Sequence, residues 1–293
     1  MIYLFLSILL STFLGVIFVY FNKHKIDIFQ AIVFNYWVCV ITGSLVLGNF
    51  PIHTNSTQTD WFKMSIIMGV LFISVFNLIG ISSVLVGATI TQTANKLSLT
   101  IPVVVSYFLY HENISLLKMI GILLALIAVI LTMSKKSSGE KKKIPLWEFS
   151  LPIVLFVSSG VVDSITKYVQ NKYLISEAIS KSYIIAGFMV AAIIGSVILL
   201  FLYITGRKKF EFKNALAGII LGVPNYFSIY YLIKALQNKS MNSSATIPIN
   251  NIGVLFLVSI FGIFIFKEKL TRLNYIGLGL TLLAILFIFL GDS

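Results

Sequence analysis

Ten apolar runs, each about 20 residues long and bounded by polar or charged residues, constrain this chain more than anything else in it. A helix of about 20 residues crosses the roughly 30 Å hydrocarbon core of a bilayer. The runs cover about 2–21, 29–48, 62–83, 86–108, 115–134, 149–168, 182–204, 214–236, 243–266 and 271–290. In lipid every backbone N–H and C=O must find a partner within the protein, and a helix supplies one within its own segment. The pattern predicts an all-α membrane protein with ten transmembrane helices. Only 11% of residues are charged, against about 25% in a soluble domain. The first run lacks a basic lead and a small-residue cleavage site, so it is expected to stay as a span.

The net charge of +12 raises the question of a nucleic-acid partner. The basic residues lie in short loops instead, where orientation signals and contact with anionic lipid explain them. No nucleic-acid binding is expected. Loops after odd-numbered runs hold 14 Lys and Arg, loops after even-numbered runs hold 7, and Lys96 is left over inside a run. This bias places the KKSSGEKKK linker in the cytoplasm and both termini outside. The single cysteine, Cys39, excludes an internal disulfide and a cysteine metal site. No metal and no cofactor are expected.

The two halves repeat. ENISLLKMIG from Glu112 matches EKLTRLNYIG from Glu268, so Ser115 aligns with Thr271 and Gly121 with Gly277. Five spans per half is an odd number, so two directly joined copies must be inverted in the membrane. That arrangement is typical of secondary transporters, with a site between the halves near the midplane. The division expected is 1–134 for the first five-helix repeat, 135–148 for a basic linker, and 149–293 for the second repeat.

With these residues, and with YYLIKALQNKSMNSSA from Tyr230, nearly the whole chain resembles the drug/metabolite transporter superfamily, in its EamA-type ten-span branch. The resemblance implies transport of a metabolite without ATP hydrolysis, in two inverted repeats. For bacterial members it implies the inner membrane and cytoplasmic termini, opposite to the orientation that the loop charges give.

Lys96 is the foremost candidate residue. It lies mid-span in GATITQTANKLSLTIPVVVSY, among Gln92, Asn95, Ser98 and Thr100. A lysine at that depth costs roughly 2.5–3.5 kcal/mol on insertion, so it should face protein or a wet cavity. Its ammonium could hold a substrate carboxylate or phosphate, or take part in proton coupling. The position aligned with it in the ninth span is Ile252. Asp163 is the one carboxylate well inside a span; Lys167, at i+4 on the same face, offers a local partner. The sharper reading pairs Asp163 with Lys96 across the halves, or makes it the proton-coupling group. Asn35, Asn77, Tyr226 and Tyr230 are candidates for lining a central cavity, with packing the competing role for each ring. Asn250 and Asn251, beside Pro248, lie about 100° apart on a helix, so one of them at most should face a substrate. Gly218 and Gly222 form a small-xxx-small pair suited to close helix contact. Glu112 and Glu268 stand at span ends and suit capping or loop fixing.

The expected function is a secondary carrier, monomeric or homodimeric, for a small organic metabolite, with anionic, amino-acid-like and phosphorylated ones as candidates. A proton or a counter-substrate would drive it. A non-transporting sensor or scaffold, and an integral-membrane enzyme, are the alternatives. The second lacks any convergent set of buried acids, bases or metal ligands in the sequence.

Overall fold

The computed structural model describes residues 2–48, 50–52, 54–110, 115–132, 146–173, 177–236 and 243–291. It is all-α. The helices are α1 (Ile2–Lys23), α2 (Ile28–Leu47), α3 (Asp60–Leu85), α4 (Ala88–Leu97), α5 (Thr100–Tyr110), α6 (Leu116–Thr132), α7 (Leu146–Tyr173), α8 (Glu177–Ile204), α9 (Phe212–Leu236), α10 (Ser243–Ile260) and α11 (Arg272–Leu290). A short 3-10 turn, Thr54–Gln58, precedes α3, and a π-turn, Phe261–Ile265, extends α10. Among the described residues, seven helices are long and apolar enough to cross a membrane; Leu116–Thr132 and Ile249–Ile265 are shorter apolar helices. The fourth apolar run is the exception, because it forms two helices rather than one.

That break has a local cause. Pro102 has no N–H to give the carbonyl of Ser98, and its ring crowds that carbonyl. Ser98 and Thr100 then turn their hydroxyls back onto Asn95 and Leu97 carbonyls, at 2.6 and 2.9 Å. Hydroxyls used in this way compete with the helical ladder. The chain passes from α4 to α5 through a tight turn, with the Ile101 amide on the Ser98 carbonyl. The ninth span differs from expectation. Pro248 does not break it: α10 is continuous past the proline, and the irregularity comes later, as the π-turn. Pro248 is the sixth residue of α10, so the ladder loses one bond there, to the carbonyl of residue 244, and the helix continues without it.

Helix neighbours trace a ring of eight spans. α1 packs on α9, α9 on α2, α2 on α8, α8 on α3 and α3 on α7; α7 packs on α4 and α5, α4 on α10, and α10 on α1. α6 and α11 pair outside the ring, against α4 and α10. The α2–α9 contact is close because Gly218 and Gly222 face α2. A Cβ on Gly222 would lie 2.8 Å from the Asn35 carbonyl oxygen and 2.6 Å from the Val38 Cβ. Within the ring, Phe18 of α1 meets Phe76 of α3 edge-on at 5.3 Å, and Tyr36 of α2 bonds the Phe72 carbonyl at 2.7 Å.

The polar caps hold one end of the ring. Asp27 caps α2 through the Gln30 amide, and its own amide donates to Asn214 Oδ1 in the first turn of α9. Asp27 also pairs with Lys208. The Lys23 ammonium lies 5.3 Å from the Phe266 ring, which puts the α10–α11 loop at this same end. Thr271 and Asn274 form a capping box on α11. At the other end, Ser115 accepts from the Lys118 amide at the start of α6. Glu112 lies outside the described residues.

Candidate functional site

The break between α4 and α5 places a polar group against α7. Ser98 Oγ lies 3.1 Å from Asp163 Oδ2 and 2.6 Å from the Asn95 carbonyl, so its single proton is shared between two acceptors. Lys96 and Asp163 act on each other electrostatically, Lys96 from the first five spans and Asp163 from the second five. Asp163 thus faces Ser98 and Lys96, and the local pair with Lys167 that its spacing offered is not what the structure forms. Lys167 makes other contacts.

Asp163 is exposed, and the direction of that exposure matters. Val154, Val157 and Val161 of α7 are also exposed and mark its outward stripe. At about 100° per residue, Asp163 lies about 200° round from Val161. Asp163 lies instead about 20° from Phe156 and about 40° from Ser159, both buried, on the side of α7 that faces its neighbouring helices. Lys96 beside it is half-buried. Where the helix is interrupted, a hydroxyl bonds a carboxylate, and the Lys96 ammonium acts on that carboxylate through its charge. Such a group can bind an anion at the ammonium, a cation at the carboxylate, or exchange a proton between them and a ligand.

The other candidates divide. Gln92 is buried, with its side chain against Gly15 of α1, and accepts from Asn95 at 3.3 Å. These two extend the polar face of α4 next to Lys96. Asn250 is held by Ser7 of α1 at 3.1 Å, and Asn251 is buried. Asn35 is fully buried in the α2–α9 interface, where it accepts from Asn225 at 3.1 Å. Asn77 spends its amide group on the Ile73 carbonyl of its own helix at 2.7 Å. Asn35 and Asn77 therefore sit in helix packing and are not gathered to Lys96. Tyr226 and Tyr230 stack on each other with ring centroids 6.1 Å apart. They line a cleft with Lys181 and Lys234, two residues that the sequence did not single out.

A second arrangement escaped sequence reasoning. Glu268, in the second half, accepts from the Ala88 amide at 2.6 Å and the Thr89 amide at 3.2 Å, in the first half. It caps α4 rather than its own neighbour α11. Free amides and the positive end of the helix dipole attract a carboxylate there. Gly87 allows the approach: its φ of +99° is poorly accessible to other residues, and a Cβ on it would lie 3.1 Å from the Glu268 carboxylate. The signal available in sequence was Gly87 at the tight α3–α4 junction, but nothing local to either segment names the partner.

Known proteins are consistent with the geometry. The family description "EamA-like transporter family" matches residues 151–290. An uncharacterized protein of Haemophilus influenzae is 30% identical over 293 residues, spanning 98% of this chain and 97% of the relative. That family carries transport, and its members are generally not enzymes. The chain is a multi-pass membrane protein with a bacterial homologue and belongs to the EamA-like transporter family of the drug/metabolite transporter superfamily.

Proposed function

We propose that this protein is a secondary carrier that moves a small organic metabolite across the bacterial inner membrane by alternating access. The observation that carries the reading is the Lys96–Ser98–Asp163 group, in which α4 and its turn from the first five spans meet α7 of the second five. Lys96 binds an anionic group of the substrate, and Asp163 is the proton-coupling residue. Gln92 and Asn95 position the polar face of α4, and Asn250 and Asn251 bound the site from α10.

The neighbour pattern supports two inverted five-helix repeats, 1–134 and 149–293, joined by the linker 135–148. Exchange each span with the one five later. The α1–α9 contact becomes α7–α3, α2–α9 becomes α8–α3, and α1–α10 becomes α7 against α4 and α5. All of these contacts are present. Inverted halves of this kind rock about a fixed central site.

The test is a thermal-shift screen of the purified protein against carboxylates, phosphates and amino acids, repeated on Lys96→Ala. A ligand that stabilises the wild type and not the variant is expected. Equal stabilisation of both would remove Lys96 from the site. Ligands that score are then taken into proteoliposomes. Asp163→Asn is expected to lose uptake driven by a proton gradient while keeping exchange of substrate for substrate. Loss of both, in a folded variant, would reassign Asp163 from coupling to binding.

A further inference from the structure

We infer that the end of α10 is a two-state latch: its π-turn holds Glu268 on α4, and return of that turn to α-helix withdraws it. One carbonyl there has two competing donors. In an α-helix the Phe266 amide would bond the Gly262 carbonyl, four residues back. It bonds the Phe261 carbonyl instead, at 3.0 Å, with the wider spacing of a π-turn. The Gly262 carbonyl is thereby left to the Glu268 amide, which reaches it at 2.9 Å. The π-turn and the placing of Glu268 are one arrangement. Restoring the α pattern gives Gly262 to the Phe266 amide and turns the chain beyond it about the α10 axis. That rotation carries the Glu268 carboxylate off the Ala88 and Thr89 amides, which it holds at 2.6 and 3.2 Å.

Named residues set the balance between the two forms. Gly262 lets α10 and α4 meet: a Cβ on it would collide with Thr89 Oγ1 and lie 2.8 Å from Glu268 Oε2. The two amide-to-carboxylate bonds favour the latched form, being charge-assisted. Two features oppose it. Lys267, between the turn and Glu268, has φ +55°, in the left-handed region that a residue with a Cβ enters at a cost. The Thr89 hydroxyl is buried and bonds nothing among the described residues, so it gains a partner once water reaches this seam. A contact opposed in this way can be released without unfolding a helix, and π-turns of this kind frequently mark functional sites. Release would part α4 from α10, one helix from each half. Its use as a gate rests on the carrier reading, but the latch itself is read from amides and needs no transport.

The experiment is hydrogen exchange on the full chain in lipid nanodiscs, resolved to single amides by electron-transfer fragmentation. It compares Lys267→Val with Lys267→Asn. Lys267 is exposed, and both changes remove its charge, so they differ in backbone preference: a β-branched residue avoids the left-handed region and asparagine tolerates it. The Val variant is expected to exchange at Ala88 and Thr89 about threefold or more faster than the Asn variant. The Phe266 amide, bonded in both forms, is expected to keep its protection. Glu268→Ala is expected to expose the same two amides, again with Phe266 unmoved. Equal exchange at Ala88 and Thr89 in the Val and Asn variants would overturn the latch. So would a Phe266 amide that speeds up together with them, since that is a frayed helix end and not a change of turn. If Glu268→Ala leaves the two amides protected, packing and not the carboxylate shields them, and the latch fails likewise. Absence of transport in a separate assay leaves these rates unaffected and counts against the carrier reading alone.

Discussion

The two ends of the ring are built differently, although the same helices reach both. At the Glu268 end, α4 and α10 are sealed together. Ala88 packs with Val254 and Val258, and Glu268 bonds the first amides of α4. Asp27, Gln30, Lys208, Lys209 and Asn214 knit the α1–α2 turn to the start of α9. At the opposite end, α5 packs on α7. The described links there are apolar and aromatic for the most part: Tyr3 stacks on Tyr231 at 6.0 Å, and Met68, Val169 and Tyr183 form a cluster that joins α3, α7 and α8. Ser7 Oγ adds bonds to the Ser228 carbonyl at 3.0 Å and to Asn250 at 3.1 Å. Carboxylate caps hold the first end and apolar packing holds the second, so a carrier of the kind proposed would break different contacts at each.

Gly87→Val should weaken the sealed end most. A β-branched residue at φ +99° carries backbone strain of about 1–3 kcal/mol, and its Cβ would press on the Glu268 carboxylate. The expected result is a lower melting temperature in detergent. An unchanged melt would show that the α3–α4 junction adjusts freely and that the seal does not depend on its geometry.

Asn274→Ala comes next. Asn274 closes the capping box on Thr271 and donates to the Thr132 carbonyl at 2.7 Å, tying α11 to the end of α6. Leaving that buried carbonyl and the Thr271 amide with fewer partners costs about 1–3 kcal/mol. Thermal melting checks the size, and Asn274→Asp separates the two roles, since it keeps the acceptor for the Thr271 amide and loses the donor to Thr132.

Glu268→Ala should cost less stability, about 1 kcal/mol for a lost cap, but should change access more. A cysteine introduced at Thr89, in a Cys39→Ala background, is expected to react slowly with a water-soluble maleimide and faster once Glu268 is removed. Glu268→Gln should fall between, because it keeps an acceptor and loses the charge. Equal labelling in all three would mean that apolar packing alone seals this end.

Much of this architecture was legible in the sequence, and the limits are physical. The spans were readable because a bilayer demands an apolar run of fixed length, and α1, α2 and α11 fall close to the expected ranges. Lys96 was readable for the converse reason, a charge where lipid forbids one. The helix break was half-readable: Pro102 stands beside it, while Pro248, an equally visible signal, leaves α10 continuous. Asn35 and Asn77 looked like Asn95 in the sequence. Whether an amide meets a neighbouring helix, its own backbone or a cavity is decided by helix rotation, which hydropathy does not encode. Glu268 and Ala88 are far apart in sequence, and no local pattern predicts which helix end a loop carboxylate will reach.

The smallest effect expected at the sealed end is that of the Asp27–Lys208 ion pair, and it tests what kind of contact closes the ring. Both side chains are partly exposed, so solvent screens the pair and its worth is about 0.2–1 kcal/mol. Asp27 has a second role, since its carboxylate caps α2 by accepting from the Gln30 amide at 2.9 Å. Asp27→Asn keeps an acceptor for that cap and removes the charge; Asp27→Ala removes both. The expected order of melting temperatures is wild type, then Asn slightly below it, then Ala clearly below both. Added salt should narrow the gap between wild type and Asn, because it screens the ion pair, and leave the gap between Asn and Ala intact. If Asn instead melts as low as Ala, the ion pair outweighs the cap, and the sealed end is held by charge rather than by hydrogen bonds to backbone. That outcome would also predict that high salt alone speeds maleimide labelling at position 89.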